Sequence, residues 1–312
     1  MEETNFDEIA KRELAKKEQQ EAKVTSFGLA NGYTEDPDEP SILPGYHEIW
    51  VENFPTKGKF YPKNLRMFIR AAGVKEIRQW STVNDEDPFS IDEGLTDILK
   101  GCVLLRLPGK QLSFKDIKEE DRFHIILSIK DLTFAKGENK LIIPAICQEC
   151  KHENKLEVSN KSFTYKEEDE RLASKYNPES RLYEFVMKNT GKHISLGAPS
   201  IGVVMEISKY IRKCRETQKD IDASFIKVLP YLVNDRRGFT EAKIKELELE
   251  FMKIDSETYQ IYNGLIELVR VSVDEQVHME CEKCGAEVHT KIQFPNGIKS
   301  LFVVSDIFGQ LL

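Results

Sequence analysis

Two Cys-x-x-Cys pairs constrain this chain more than any other feature. Cys147-Gln148-Glu149-Cys150 follows a strand-like run over residues 141–147 and precedes another over 155–158. Cys281-Glu282-Lys283-Cys284 repeats the pattern, with extended runs over 276–281 and 288–292. A helical pattern comes before each copy. Two residues between cysteines let both thiolates turn toward one tetrahedral ion while N–H groups of the turn face the sulfurs. Two such turns supply the four thiolates of a closed structural zinc site, here Cys147, Cys150, Cys281 and Cys284. Gly285 suits the left-handed backbone often needed just after the second pair, and Lys151 holds that place in the first.

About 130 residues separate Cys150 from Cys281, many more than in a simple ribbon. Loop closure answers the objection, because lengthening a loop from ~16 to ~130 residues costs only about 2 kcal/mol. A four-cysteine zinc site contributes on the order of 10–16 kcal/mol in peptides. The alternatives are a disulfide or redox role for either pair, and separate half-sites completed by His152, His278 or His289. In a shared site every ligand position is a thiolate, so no position is left for water or substrate. Such a site staples the fold and does no catalysis.

The remaining sequence sets this site in an α+β chain. Leu95, Ile98, Leu99 and Cys102 recur at i, i+3, i+4, i+7, as do Ile207, Tyr210, Ile211 and Cys214; both are core-facing helical stripes. The organisation expected is a helical arm over 1–24, an acidic Pro-containing linker over 25–45 and a strand-rich α+β core over 46–166 carrying the first knuckle. A mainly helical insertion over 167–270 follows, and the second knuckle over 271–312 returns to the core. Glu8 to Arg12 and Glu13 to Lys17 support an exposed first helix. Thr240 and Ser256 read as N-caps of two helices ending near Ile254 and Arg270.

Charge and composition exclude several functions. With 45 basic and 53 acidic side chains the net charge is −8, against the basic face that duplex nucleic acid requires. No apolar run approaches the ~18 residues of a membrane span. Six cysteines in 312 residues do not make a disulfide scaffold, which leaves a soluble protein of a reducing compartment. Cys102 and Cys214 lie on apolar stripes as inert thiols, and Gly191-Lys192-His193 lacks the rest of a phosphate loop. No nucleophile–base constellation or small-molecule site emerges, so a non-enzyme is expected.

The stretch Phe54-Pro55-Thr56-Lys57-Gly58-Lys59-Phe60-Tyr61 resembles the L-P-S-K-G-x-x-Y opening of the baseplate hub proteins of T-even-type tailed phages. Phe54 stands where leucine is usual and Thr56 where serine is common. Asp92-Glu93-Gly94-Leu95, Ile98-Leu99-Lys100-Gly101-Cys102 and the two late CxxC pairs follow in the order of that family. The resemblance covers roughly residues 46–312. It implies a non-enzymatic structural or assembly component of a contractile tail baseplate hub, bound to other hub or tail proteins. Its location would be the virion tail baseplate, with host cytoplasm during assembly. The rival readings are a transient assembly chaperone, a zinc-ribbon nucleic-acid adaptor and a redox enzyme using the CxxC pairs.

Overall fold

A computed structural model describes residues 44–134, 141–158, 165, 169–187, 191–233, 235–271, 276–291 and 298–302. The expected arm over 1–24, and all but the last two residues of the expected linker over 25–45, lie outside these. The chain divides into Met1–Pro44 and Gly45–Leu312, and all but one of the described residues belong to the second unit. Among the described residues it is an α+β structure of eight α-helices and four small antiparallel sheets.

The first half is a three-stranded sheet covered by helices. Strands β1 (Tyr46–Ile49), β2 (Arg66–Arg70) and β3 (Val103–Arg106) pair in that order, with Glu48 opposite Phe68 and Phe68 opposite Leu104. Helices α1 (Val74–Ser81) and α2 (Pro88–Cys102) connect β2 to β3, and α3 (Glu119–Thr133) follows. Met67 and Ile69 of β2 are buried with Ile98 and Leu99 of α2 and with Ile125, Ile126 and Ile129 of α3 in one cluster. On the other face of β2 the guanidiniums of Arg66 and Arg106 cover the Phe68 ring, 5.0 and 5.8 Å from its centroid.

The acidic loop before α2 ends as a cap. Asp87 accepts from the Phe89 N–H at 3.0 Å, and Pro88 occupies the first turn, where a missing N–H costs nothing. Two glycines of α2 then let α1 approach. A Cβ on Gly94 would stand 2.4 Å from Val83 Cγ2 and 3.1 Å from the Trp80 ring, and one on Gly101 would stand 2.8 Å from Glu76 Oε1. Trp80 is buried against Phe302, and its Nε1 donates to the Lys299 carbonyl at 3.0 Å. Residues 298–302 thus return to the first core.

The opening motif is held by one buried carboxylate. Asp121, in the first turn of α3, accepts from Thr56 N (3.0 Å), Thr56 Oγ1 (2.7 Å) and Tyr61 Oη (2.8 Å). Tyr61 Oη in turn accepts from the Lys118 N–H at 3.0 Å. The turn between Thr56 and Tyr61 needs left-handed backbone at Lys57 (φ 51°) and Gly58 (φ 72°). Burial pushes the Asp121 carboxyl up to about 6, although the Thr56 and Tyr61 bonds favour its charged form.

The chain continues through β4 (Leu141–Ile146) and β5 (Glu153–Val158), a two-stranded ribbon. The region expected to be largely helical opens differently. After a single turn, α4 (Glu170–Ala173), strands β6 (Tyr176–Asn177), β7 (Leu182–Val186) and β8 (His193–Leu196) form an antiparallel sheet. Helix begins in earnest with α5 (Ile201–Glu216), then α6 (Ala223–Leu232), α7 (Glu241–Phe251) and α8 (Ser256–Val269). Leu196 of β8 shares a buried cluster with Val228 of α6 and with Tyr262 and Ile266 of α8. Thr240 does stand at the N-cap of α7, without a side-chain cap bond. The cap of α8 is Asp255, which accepts from Thr258 N at 2.7 Å, and Ser256 is its first helical residue. Strands β9 (Gln276–Glu280) and β10 (Glu287–Lys291) form the second ribbon.

Two stability tests follow from the first core. Gly94→Ala is expected to cost about 2–3 kcal/mol by overpacking α1 against α2, read as a lower denaturant midpoint. Loss of hydration pushes the half-buried Glu120 carboxyl up to about 8, its own backbone N–H opposing and Asp121 and Glu119 adding repulsion. The folded chain then holds this proton more tightly than the unfolded chain. Its contribution is present in full below the ordinary value of 4.5 and is lost as pH rises toward 8. Glu120→Gln should remove the decline between pH 6 and 8, a difference of about 1–2 kcal/mol after allowing for solvent screening. The decline between pH 4 and 6, which Asp121 also drives, should persist in chemical melts of both proteins.

Candidate metal centre

The two ribbons meet at their cysteine ends. Cys147 leaves β4 and Cys281 leaves β9, each followed by a two-residue turn and its partner cysteine. The two turns are built alike. Cys147 N donates to His152 O (2.9 Å) and Lys151 N to Cys147 O (3.0 Å); Cys281 N donates to Ala286 O (2.8 Å) and Gly285 N to Cys281 O (2.9 Å). Gly285 takes a left-handed backbone (φ 71°), and Lys151 takes the same conformation (φ 56°) despite its side chain. The lysine therefore does not alter the turn.

The structure brings all four predicted sulfurs together. Cys147 Sγ lies 3.6 Å from Cys284 Sγ, and Cys150 Sγ lies 3.6 Å from Cys281 Sγ. Each close pair joins one turn to the other, and all four sulfurs lie within 4.8 Å of one another. A tetrahedron of sulfurs ~2.3 Å from a central ion has edges of about 3.8 Å, inside that range. A disulfide would need ~2.05 Å, and all four cysteines are free thiols. Ala145 and Val288 pack with buried Cys147 and Cys281, while Cys150 is half-buried and Cys284 exposed. The arrangement can hold a metal ion.

Electrostatics point the same way. Burial would raise the Cys281 thiol, but the backbone N–H groups of Cys284 and Lys283, aimed at its sulfur, bring it down to about 6. At Cys284 the Ala286 N–H favours the thiolate. Bonding to the sulfurs of Cys150, Cys147 and Cys281, together with desolvation, nevertheless pushes that thiol up to about 12. Four sulfurs this close cannot all ionise unless a cation shares them.

Sequence reasoning missed the residue that joins the turns. Asn154 of β5 is completely buried. Its Nδ2 donates to Ala145 O (3.2 Å) and His152 O (3.3 Å) within the first knuckle, and its Oδ1 accepts from Glu282 N (3.0 Å) in the second. The signal was an amide in a strand, opposite Ala145 in the register, but an asparagine there also reads as an ordinary solvated position. Among the histidines considered as ligands, His289 is half-exposed beside Glu287, and the His278 side chain is outside the described ones. Cys102 and Cys214 are buried apart from this cluster, and desolvation pushes Cys102 up to about 11.

A family profile described as "T4 bacteriophage base plate protein" matches residues 50–303. The chain belongs to that family. The matched span takes in the Thr56–Asp121–Tyr61 network and both ribbons. Baseplate membership makes the protein a structural component of a phage tail baseplate, with other baseplate proteins as its partners, and speaks for a non-enzymatic role. No curated protein and no solved structure matches the chain. No helix among the described residues is long and apolar enough to cross a membrane.

Asn154 offers a test separate from the sulfurs. Asn154→Ala leaves the Glu282 N–H without its acceptor and frees the two turns to separate. We expect a loss of about 1–3 kcal/mol and metal affinity weakened roughly 10–100-fold, measured by competition with a chromophoric chelator. Unchanged affinity would reduce Asn154 to a packing residue.

Proposed function

We propose that the protein is a non-enzymatic component of the baseplate hub, held in shape by one structural zinc on Cys147, Cys150, Cys281 and Cys284. The observation that carries the zinc reading is the four-sulfur cluster itself, 3.6 Å across each inter-turn pair. All four donors are soft thiolates, the set that favours zinc among abundant divalent ions. When bound, the ion neutralises the sulfurs and crosslinks the two ribbons. The hub assignment is supported by the opening motif and its order with the two cysteine pairs, together with baseplate membership. A redox role gains no support from a cluster in which each turn's cysteines also approach those of the other ribbon at 3.6 Å.

Two measurements test this reading. Elemental analysis of the purified chain should find one zinc per molecule. Cys147→Ser and Cys281→Ser should each lose it and destabilise the chain by several kcal/mol. Unchanged melting of both variants would sink the shared site. Quantitative mass spectrometry of finished particles beside infected-cell lysate addresses the hub role. A fixed small copy number in particles is expected of a hub subunit, whereas presence in lysate alone would make the protein an assembly factor.

A further inference from the structure

A groove outside the metal centre carries a charge imbalance that the fold does not resolve. It encloses about 400 Å³ between the stretch after the opening motif, the turn at Gly109, the N-terminus of α5 and the turn after α6. Leu112, half-buried, lines it beside the buried Tyr61 and Leu65. Five cations line it, Lys110, Lys118, Arg181, Arg236 and Arg237, against two carboxylates, Asp116 and Asp235.

Both carboxylates are already engaged. Arg236 grips Asp116 through Nε (2.7 Å) and Nη2 (2.8 Å), and Arg237 grips Asp235 through Nε (2.9 Å) and Nη2 (2.6 Å). Gly202 makes room for the first pair, since a Cβ there would stand 2.7 Å from Arg236 Cδ. Lys110, Lys118 and Arg181 remain without an ion-pair partner among the described residues. Lys118 is the telling member. Its N–H is fixed to Tyr61 Oη, so its ammonium is presented from a locked backbone at the positive end of α3. Burial there pulls it below the ordinary lysine value; the charges of Glu120 and Asp121 oppose that, Arg181 repels the ammonium, and Asp116 favours it less strongly.

Three cations without an ion-pair partner among the described residues, lining one groove of a chain of net charge −8, are arranged to receive carboxylates. We propose that this groove is a docking site for an acidic segment of a neighbouring baseplate protein, its carboxylates pairing with Lys118, Arg181 and Lys110 while its stem lies against Leu112. A volume of this size takes a few residues of extended peptide, with half-buried Lys118 and Arg181 better sheltered from water than exposed Lys110. The inference uses baseplate membership for the source of the partner only. It does not depend on the zinc or on the hub assignment, so either can fail separately.

The test uses the full chain and a fluorescein-labelled hexaglutamate peptide, followed by fluorescence anisotropy at low and physiological salt. Binding should appear, weaken with salt, and be absent for hexaglutamine. Lys118→Gln with Arg181→Gln should weaken it at least tenfold, while Lys209→Gln with Lys253→Gln, the same charge change at a distance, should leave it unaltered. Arg181→Gln alone is the second variant should the double substitution fail to fold, with a loss of several-fold expected. Absence of binding to the wild type, or equal losses in both double variants, would overturn the proposal. Displacement of the peptide by millimolar inorganic phosphate would overturn it too, assigning the groove to small anions instead.

Discussion

Sequence separation is the constraint the rest of this fold must satisfy. Cys150 and Cys281 stand 131 positions apart, yet their sulfurs are 3.6 Å from each other. Everything between them has to begin and end at the same place. The β6–β8 sheet and helices α5 to α8 pack round two buried clusters, and Phe60 in one of them and Ile201 of α5 in the first core tie this excursion back to where it began. Entropy alone opposes such a closure only weakly, because its cost grows with the logarithm of loop length. What the closure needs is a strong local reward at the meeting point, which four thiolates sharing an ion can supply. Asn154 adds a bond between the turns, from Glu282 N to its Oδ1, that depends on no ion.

A second long-range tie works by different chemistry. Asp121 gathers three donors from the Thr56–Tyr61 turn, which gives that motif a physical reason for its residue types. Thr56 supplies both a backbone and a side-chain donor. Gly58 allows the turn, where a Cβ would stand 3.2 Å from Val51 Cγ2 and φ is positive. Tyr61 passes the network on to Lys118. Burying a carboxylate is costly unless its oxygens are bonded, and here both are. The same acidic first turn of α3 holds Glu119 and Glu120, each with one buried oxygen lacking a partner. Stability at this end of the molecule is therefore tied to proton binding.

How much of this was legible in the sequence depends on the length of each signal. The two knuckles were readable because CxxC flanked by extended runs is a dense local pattern, and the metal geometry needs only those residues. Helix α2 was readable from Leu95, Ile98, Leu99 and Cys102, which span two full turns. Strands β6, β7 and β8 were not, since elements of two, five and four residues are too short for a period to emerge. Tyr183 and Leu196, paired across that sheet, become apolar neighbours only once the sheet exists. The cap of α8 moved by one residue, from Ser256 to Asp255, because both side chains can accept from the first turn and only the backbone geometry selects one. Asn154 and the Asp121 network were hidden for a further reason. Their partners lie 128 and 60 to 65 positions away, and no local pattern encodes a contact at that range.

The cationic groove shows why net charge is a poor guide to what one face of a protein does. An excess of eight negative charges argues against binding a duplex, which presents phosphates along its whole length. It does not argue against a pocket for a few carboxylates, because at physiological salt the field of the distant acids is screened within about 8 Å. Inside the groove the balance is local: two arginines are neutralised by Asp116 and Asp235, and three cations have no ion-pair partner among the described residues. An isolated chain leaves exposed Lys110 facing water at little cost, whereas Lys118 already bears a desolvation penalty. Within a crowded assembly, however, a neighbour that excludes that water without supplying charge would meet an unfavourable surface, whereas an acidic one would gain. The same groups that attract one partner thereby disfavour the others, which is how a subunit can be selective in an assembly.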